Sequence, residues 1–257
     1  MIDILPISAL KDNYIWALIN AQTKRVVIVD PGEAAPVLAF IKQQHLTLAA
    51  ILITHHHWDH TNGLDELTRA DIPCFGPANE TVKGMSIPVK QNDNVIIDDF
   101  PVFKVFDIPG HTLGHVAYYA PDILFSGDTL FTGGCGRYFE GTAAQLYHSL
   151  QTLAALPPKT RVYCGHEYTV NNLRFAEQVE PGNKKISARL ALARELRAEQ
   201  LPTVPSTLHE EHDTNPFLRC EVPAVIDSVS QYAGRALVDP VDVFTYLRKW
   251  KDAFVVG

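Results

Sequence analysis

Short apolar runs dominate the first two thirds of the chain and predict a β-rich unit. Runs of β-branched and aromatic residues, each ended by a polar or glycine-containing turn, predict strands over residues 2–8, 14–19, 25–29, 49–53, 72–75, 103–108, 123–125 and 161–164. Between residues 81 and 103 the apolar positions alternate or come in pairs, which predicts a meander of further strands. Apolar residues at helical spacing predict helices over 34–44 and 64–70.

The chain after residue 168 has a different pattern. Apolar residues at helical spacing predict helices over 171–179, 186–200 and 241–250, separated by turns that contain proline. We therefore predict an α+β protein with a β-rich domain over residues 1–168 and a smaller helical domain over residues 169–257. The linking loops are short, which favours firm packing between the two domains.

Several of the predicted strands end in a turn that carries histidine or aspartate. These turns lie at residues 54–60, 110–115, 126–129 and 165–167. Loops at one edge of a sheet commonly bring together side chains that are distant in sequence. The pattern therefore predicts one functional site assembled from several strand ends.

The stretch 54–60 has an unusual composition, because four histidines and an aspartate directly follow a buried strand. Side chains alternate in extended backbone, so those of His56 and Trp58 are expected to point away from the others. The side chains expected at a common centre are His55, His57 and Asp59, with His60 joining from the turn. Imidazole and carboxylate groups bind zinc, iron or manganese. Four candidate ligands on one short loop are more than a single catalytic ion usually binds from one loop. Two divalent metal ions are therefore predicted, with zinc favoured over iron and manganese.

Composition argues against several classes of partner. Among 257 residues, 22 are lysine or arginine and 29 are aspartate or glutamate, and the net charge of −7 disfavours binding to nucleic acid or to an anionic membrane. The sequence has no apolar run long enough for a membrane span, and its start lacks a basic segment followed by an apolar one. The four cysteines form no paired motif, which indicates reduced thiols. We expect a cytoplasmic monomer.

The spacing of the histidines and aspartates resembles the metallo-β-lactamase superfamily, whose fold is an αββα sandwich. The residues that carry the likeness are the pattern His55-x-His57-x-Asp59-His60, followed by His111, Asp128 and His166. For one metal ion the resemblance implies the ligands His55, His57 and His111. For the other it implies Asp59, His60 and His166, with Asp128 bridging the two ions. Spacing alone leaves His111 and His115 as equal candidates, and the resemblance favours His111.

A pair of metal ions suits hydrolysis. Two cations ~3.5–4 Å apart can share a water molecule and lower its pKa from about 15.7 toward about 7. Asp59 and Asp128 are the predicted catalytic carboxylates, because they offset part of the metal charge and orient the attacking water. No serine or cysteine nucleophile is then required, and Cys164 beside Gly165 and His166 is interpreted as a buried thiol.

A closer resemblance to the hydroxyacylglutathione hydrolase (glyoxalase II) family extends over nearly the whole chain. The motifs that carry it, besides the histidine stretch, are residues 12–14, 29–32, 110–115, 133–137, 165–173, 202–207 and 215–219. In that family the C-terminal helical domain supplies glutathione-binding groups, so the resemblance implies a substrate-binding role for residues 169–257. The implied substrate-binding residues are Arg137, Tyr168, Arg248 and Lys251. Phe139 departs from the family pattern, because some members have a tyrosine there.

The reaction implied by this resemblance is the hydrolysis of S-(2-hydroxyacyl)glutathione, chiefly S-D-lactoylglutathione, to glutathione and D-lactate in methylglyoxal detoxification. A local cluster of Arg137, Arg248 and Lys251 lets a chain of negative net charge bind an anionic tripeptide. One alternative on the same scaffold is a lactonase or β-lactamase, which has no use for a clamp on a glutathione carboxylate. The other is a persulfide dioxygenase, which uses a single iron.

Overall fold

Two six-stranded β-sheets pack face to face in the structure, a computed structural model that describes residues 2–68 and 71–254. The first sheet contains, in spatial and chain order, β1 (Ile2–Ala9), β2 (Asn13–Asn20), β3 (Arg25–Val29), β4 (Thr47–Leu52), β5 (Cys74–Pro77) and β6 (Ile87–Val89). Strands β1 to β3 pair antiparallel, whereas β3 to β6 pair parallel. Parallel strands end at the same edge, so the loops after β4 and β5 lie side by side.

The second sheet is built from the later part of the chain. The later strands are β7 (Asn94–Val95), β8 (Phe103–Asp107), β9 (Val116–Ala120), β10 (Ile123–Gly127), β11 (Leu130–Phe131), β12 (Gly134–Cys135), β13 (Arg161–Cys164) and β14 (Ser206–Thr207). Strands β11 and β12 form a separate ribbon, and the other six are ordered β14-β13-β10-β9-β8-β7. Because β10 and β13 are parallel, they also end at one edge.

Helices cover the outer faces of both sheets. The helices of the described residues are α1 (Ala34–Gln44), α2 (Trp58–Thr61), α3 (Leu64–Leu67), α4 (Ala143–Ala154), α5 (Thr169–Val179), α6 (Lys184–Ala198), α7 (Leu208–Thr214), α8 (Pro223–Ala233) and α9 (Pro240–Ala253), with a short 3₁₀ helix at Pro216–Leu218. Helices α1 and α3 share an apolar cluster with the first sheet, and α4, α5, α8 and α9 share one with the second. Over residues 2–68 and 71–254, no helix combines the length and apolar character needed to cross a bilayer. The predicted α+β class, an αββα sandwich with C-terminal helices, is confirmed.

The helices differ from the sequence prediction in several places. Helices α4, α7 and α8 are present but not predicted. Helix α3 ends at Leu67, and residues 69 and 70 of the helix predicted over 64–70 lie outside the described residues. Thr142 before α4 and Thr207 before α7 each accept a hydrogen bond from a backbone N–H of the first helical turn. These caps satisfy N–H groups that would otherwise lack a partner, and they explain where the two helices begin.

The two sheets enclose an aromatic core that fixes the strand ends. The largest fully buried side chains of this cluster include Trp16, Phe103, Tyr118, Phe125 and Tyr163. Full burial of such a side chain contributes roughly 1.5–3 kcal/mol to the free energy of unfolding. The indole N–H of Trp16 also donates to the carbonyl oxygen of Cys164 at 2.9 Å. The first sheet is thus bonded directly to the end of β13.

The C-terminal helices pack against the second sheet. Phe175, Phe217 and Phe244 belong to the same apolar cluster as Leu124 and Leu146. Strand β14 also comes from the C-terminal part and pairs with β13. One apolar cluster and the second sheet both contain residues from before and after residue 168. The domain boundary at residue 168 therefore stays a prediction.

Candidate metal centre

Strand ends and loops bring the predicted ligands to one edge of the sandwich. The elements involved are the loop after β4, helix α2, the loop between β8 and β9, and the ends of β10 and β13. Four groups of side chains in the described residues have ligand atoms within 4.8 Å of one another, and two of these groups consist entirely of predicted ligands: His55 with His57 and His111, and Asp59 with His60 and His166. We call these the first group and the second group. They are the two ligand sets that the sequence implied.

In the first group, three imidazole nitrogens face one another. His57 Nδ1 lies 3.1 Å from His55 Nε2 and 3.0 Å from His111 Nε2. Ligand atoms around a tetrahedral zinc ion, with bonds of about 2.0–2.1 Å, lie about 3.3 Å apart, so the observed spacing fits one ion. Burial lowers the pKa of all three imidazoles, which keeps the nitrogens unprotonated and able to bind a metal.

In the second group, a carboxylate faces two imidazoles. Asp59 Oδ2 lies 3.5 Å from His60 Nε2 and 3.4 Å from His166 Nε2. Burial by itself would raise the pKa of Asp59, but hydrogen bonds from His166 and Asn13 and the charge of His60 hold that pKa well below its usual range. The carboxylate is therefore ionised at neutral pH, as a metal ligand must be.

Asp128 lies between the two groups. Its Oδ2 is 3.1 Å from His166 Nε2 and 3.6 Å from His111 Nε2, and its Oδ1 is 3.4 Å from His60 Nε2. Burial would raise the pKa of Asp128, but the neighbouring His166 and His60 hold it well below the usual range. Burial would likewise lower the pKa of His60, but Asp128 raises it to about 10. A divalent cation can replace the protons on such imidazoles, and Asp128 is placed to contact a cation in either group.

Most of the converging histidines are fixed through the ring nitrogen that faces away from the centre. The contacts of Nδ1 are His55 with Thr54 Oγ1 at 2.9 Å, His111 with the Arg137 carbonyl oxygen at 2.8 Å, His60 with Asp30 Oδ2 at 3.1 Å and His166 with Asp12 Oδ1 at 2.9 Å. Such contacts fix the tautomer and the orientation of a ligating ring. The Nε2 atoms of these rings are therefore held toward the centre.

The stretch that carries most of the ligands is not extended throughout, which corrects one expectation. Side-chain alternation accounts for His55 and His57, but helix α2 begins at Trp58. Asp59 and His60 therefore reach the second group from a helical turn. Trp58 is 64% exposed and points away from the centre, as predicted.

His115 is buried beside the ligands but both of its ring nitrogens are occupied. Its Nε2 accepts the backbone N–H of Asp128 at 3.1 Å, and its Nδ1 donates to the carbonyl oxygen of Val116 at 3.1 Å. The ring of His115 stacks on that of His55, with centroids 4.5 Å apart. The structure thus separates the two candidates that spacing left open, because His111 faces the centre and His115 supports it from behind.

Gly165 allows β13 to approach the centre closely. A Cβ atom there would lie 2.5 Å from Asp128 Oδ1 and 2.6 Å from His60 Cε1. Real side chains do not tolerate such distances, so any other residue would displace the groups that converge here. Glycine at this position is a requirement of the site.

The donor set fits divalent metal ions. Within the described residues, His60 Nε2 and Asp128 Oδ1 are buried and have no hydrogen-bond partner. Buried polar atoms without partners are rare because each costs about 1–3 kcal/mol. A cation coordinated by these atoms removes that cost, and imidazole with carboxylate is a donor set typical of zinc, iron and manganese. The centre is therefore a binding site for divalent metal.

A cavity of about 420 Å³ opens onto the centre and also contains every predicted substrate-binding residue. Arg248 and Lys251 lie one turn apart on α9, and Arg137 follows β12. Arg248 is 4% exposed and donates to the Cys135 carbonyl oxygen at 3.0 Å. Lys251 Nζ donates to the backbone and side-chain oxygens of Asn171, both at 3.2 Å. The cavity therefore has a cationic end with three basic side chains, and its other end is lined by the histidine and aspartate side chains of the centre.

Aromatic residues line the cavity between these two ends. The ring of Tyr168 stacks on His166 with centroids 4.7 Å apart. Burial raises the pKa of Tyr168 to about 12, so its hydroxyl is protonated at neutral pH and can donate a hydrogen bond. Phe139 is 62% exposed and lies edge-on to His111, with centroids 5.3 Å apart. Phe139 therefore lies beside the metal centre as an apolar wall.

Cys164 does not form a nucleophile with His166. Its thiol is fully buried, and burial raises the pKa of Cys164 to about 12. The Sγ atom donates to the carbonyl oxygen of His166 at 3.5 Å rather than to the ring. The interpretation of Cys164 as a buried thiol is consistent with these contacts.

Several residues around the centre have no signal in the sequence that assigns them a role. Asn13 donates to Asp59 Oδ2 at 2.9 Å, and Asp12 bonds His166 across more than half of the chain. Glu80 contacts both loops of the first group. Residues 12–14 belong to the motifs that carry the family resemblance, but nothing in the sequence shows which strand end lies against them.

Family models match the two parts of the chain separately. The model described as metallo-beta-lactamase superfamily matches residues 14–83 and 75–166. The model described as hydroxyacylglutathione hydrolase C-terminus matches residues 167–254. Together they cover the predicted metal ligands and helix α9, which carries Arg248 and Lys251.

Individual relatives and solved structures that resemble the chain point to the same family and superfamily as the two family models. The hydroxyacylglutathione hydrolase of Nitrosomonas eutropha is 51% identical over 256 residues, which are 99% of this chain and 100% of that protein. The crystal structure of the B3 metallo-β-lactamase BLEG-1 is 26% identical, has a TM-score of 0.63, and the match covers 85% of this chain and 99% of that one. TTHA1623, solved in a di-iron-bound form, is 29% identical with a TM-score of 0.54, over 63% of this chain and 91% of that one. The resemblance first seen in the motifs is confirmed, and the chain belongs to the hydroxyacylglutathione hydrolase family within the metallo-β-lactamase superfamily.

Proposed function

We propose that the chain hydrolyses S-(2-hydroxyacyl)glutathione, chiefly S-D-lactoylglutathione, to glutathione and D-lactate, the second step of methylglyoxal detoxification. The observation that carries the proposal is the single cavity that joins the metal ligands to Arg137, Arg248 and Lys251. The hydroxyacylglutathione hydrolase of Nitrosomonas eutropha, similar over the full length, supports it. A lactone or a β-lactam has no glycine carboxylate at the end of a peptide chain, so neither substrate requires a cationic end remote from the metal ligands.

We propose two divalent ions per chain, with zinc favoured and iron or manganese as alternatives. The ligands would be His55, His57 and His111 for one ion and Asp59, His60 and His166 for the other, with Asp128 between them. The di-iron-bound form of TTHA1623 supports a binuclear centre on this fold. A persulfide dioxygenase with one iron would have no use for the second group. Metal analysis of the purified chain tests this directly, and about one ion per chain would contradict it.

The residues of the centre have complementary tasks in the proposed reaction. When bound, the metal ions supply Lewis acidity and acidify a water molecule at neutral pH. Asp59, held by Asn13, is ionised and orients that water toward the thioester carbonyl carbon. Asp128 offsets the cationic charge between the two groups. Since the leaving thiolate belongs to a thiol with a pKa of about 8.5, no strong general acid is required.

The cationic end of the cavity would bind the peptide part of the substrate. Arg248 and Lys251 would bind the glycine carboxylate, because two adjacent cations on one face of α9 offer charge-assisted hydrogen bonds. Arg137 would add a further cation, and the Tyr168 hydroxyl would donate to the peptide backbone. Phe139, which has no hydroxyl, would contact the substrate only through its ring.

The decisive experiment combines metal analysis with an assay of thiol release from S-D-lactoylglutathione. A lactone and a β-lactam serve as competing substrates. We expect turnover of the thioester at least an order of magnitude above the other two, because only the glutathione thioester has a glycine carboxylate separated from the reacting carbonyl by a peptide chain that can extend to the cationic end. Preferred turnover of the lactone or the β-lactam would refute the proposal.

Replacement of Arg248 by alanine is expected to raise KM for lactoylglutathione about 10–100-fold, since a hydrogen bond between charged groups contributes about 1.5–3 kcal/mol. The effect on kcat is expected to be smaller, because the glycine carboxylate is remote from the reacting carbonyl. Lys249→Ala, an exposed position on the same helix, is the matched control. An equal loss on a γ-glutamylcysteine thioester, which lacks the glycine, would contradict the assignment.

Substrate binding is expected to weaken at alkaline pH because of Lys251. Burial, reinforced by the nearby Arg248, lowers the pKa of Lys251 to about 8. The ammonium form therefore predominates below pH about 8 and is lost above it. KM for lactoylglutathione should rise several-fold between pH about 7 and about 9, while Lys251→Arg should shift the rise to higher pH because arginine stays charged. Identical KM profiles for the two proteins would show that Lys251 does not bind the carboxylate.

We also propose that the chain works as a monomer in the cytoplasm. The cytoplasmic location is supported by the four buried cysteines, all present as free thiols, which are typical of a reducing compartment. Size-exclusion chromatography with light scattering tests the oligomeric state, and a dimer mass would refute it.

A further inference from the structure

Glu80 is a buried carboxylate that the proposed reaction does not use. It lies in the turn between β5 and β6, and its side chain is 5% exposed. Burying a charge is costly unless hydrogen bonds replace the lost water. The partners of Glu80 therefore indicate why the carboxylate is there.

Every partner of the Glu80 carboxylate comes from one of the two loops of the first group. The backbone N–H of His56 donates to Oε2 at 2.6 Å, and His56 Nδ1 lies 3.0 Å from the same atom. The backbone N–H of Gly114 donates to Oε1 at 3.0 Å, and the Thr112 hydroxyl donates to Oε1 as well. A carboxylate offers about four acceptor positions, so the group is saturated.

These contacts flank the metal ligands of the first group. His56 stands between His55 and His57, and Thr112 follows His111. The two loops are more than 50 residues apart in sequence, and the closest ligand contact between them is 3.0 Å, from His57 Nδ1 to His111 Nε2. Glu80 is bonded to the backbone of both, so it sets their separation immediately behind the ligands.

Gly114 is fitted to this arrangement. A Cβ atom at Gly114 would lie 2.5 Å from Glu80 Cγ. Only glycine lets the second loop approach close enough for its backbone N–H to reach the carboxylate. The loop between β8 and β9 is thus shaped around Glu80.

We infer that Glu80 is a positioning residue that holds the two loops of the first group at metal-binding distance and so sets the affinity of that group for its ion. The inference rests on the proposed metal centre and deepens it. Partners of ligand-bearing groups typically change metal affinity about 10–100-fold when they are removed. Glu80 would act through His55, His57 and His111 without touching substrate.

The test is Glu80→Gln, with metal affinity measured by competition with a chromophoric chelator. Glutamine keeps the shape but offers one acceptor oxygen, so it cannot satisfy donors from both loops. One ion per chain should bind about 10–100-fold more weakly while the other keeps its affinity. The value of kcat should fall, excess zinc should restore it, and KM should change little.

Glu140→Gln is the matched control. Glu140 contacts the same two loops, since it accepts the Leu113 N–H at 3.0 Å and lies 3.2 Å from His56 Nε2. Its side chain is 36% exposed, so these contacts are replaced readily by water. Its substitution should change the affinity of either ion by less than about threefold.

Unchanged metal affinity in Glu80→Gln, with only a lower Tm, would show a purely structural role and overturn the inference. If Glu80→Gln does not fold, Thr112→Val provides the test instead, because it removes one donor to the Glu80 carboxylate and keeps a side chain of nearly the same volume. Weaker binding of one ion in Thr112→Val supports the inference, and wild-type affinity refutes it. Since these readouts are binding constants, they stand even if the chain fails to hydrolyse lactoylglutathione.

Discussion

Replacing Asp128 with asparagine is expected to lower kcat/KM for lactoylglutathione more than about 10³-fold, equivalent to about 4 kcal/mol of transition-state stabilisation. Asp128 lies within 3.6 Å of His111 and 3.1 Å of His166, so it contacts both ligand groups. Asparagine is nearly the same size but removes the negative charge that would balance the two proposed cations. It also directs an amide NH₂ toward groups that must bind metal.

The measurement is steady-state kinetics together with the number of ions per chain. Asp128→Asn should weaken both ions, whereas His57→Ala should remove a ligand from the first group only and leave about one ion bound. Asp227→Asn, at an exposed position on α8, is the matched control and should behave as wild type. Full activity or two tightly bound ions in Asp128→Asn would contradict the assignment of Asp128 to the centre.

The sequence alone predicts the converging side chains because their chemistry is concentrated in local motifs. The stretch 54–60 shows several ligands at once, and the turns carrying Asp128 and His166 each follow a clear strand. Strand ends in such a sandwich meet at an edge, so their convergence follows from the strand pattern. Spacing alone leaves both His111 and His115 open and the family resemblance favours His111, while the structure adds that His115 is occupied on both ring nitrogens.

The supporting residues could not be predicted, because their contacts depend on which strands become neighbours. Glu80 lies in a turn of ordinary composition, and nothing near it in sequence indicates the three residues that its carboxylate contacts. Helix α4 is a different case, since Leu146, Leu150 and Leu153 follow helical spacing after the capping residue Thr142. The sequence therefore contained the signal for α4, whereas the contacts of Glu80 are long-range.

A stability prediction follows from another long-range contact, the buried carboxylate of Glu211. Its side chain is 0% exposed and lies 2.6 Å from the guanidinium of Arg189 on α6. Its Oε2 accepts the Gly133 N–H at 2.8 Å and the Asn215 side-chain amide at 2.9 Å. Glu211 thus connects the C-terminal helices to the turn between β11 and β12. That turn leads to Cys135, whose carbonyl oxygen accepts from Arg248 in the cavity that opens onto the metal centre.

Glu211→Ala is expected to lower the free energy of unfolding by about 3–5 kcal/mol. The loss comes from leaving the Arg189 charge without its partner and the buried Gly133 N–H without an acceptor. For a chain of this size, Tm should fall by about 6–20 °C. Denaturant and thermal unfolding measure the change, and Glu195→Ala, exposed on α6, should stay within about 0.5 kcal/mol of wild type.

A second substitution separates the buried charge from simple loss of packing. Arg189→Met in the Glu211→Ala background removes the unpaired guanidinium, so part of the lost stability should return. Because Glu211 also supports the turn that holds Arg248 through Cys135, Glu211→Ala should raise KM for lactoylglutathione and leave metal content unchanged. Additive losses in the double variant would mean that Arg189 and Glu211 contribute independently. The ion pair would then not be what joins the C-terminal helices to the cavity that opens onto the metal centre.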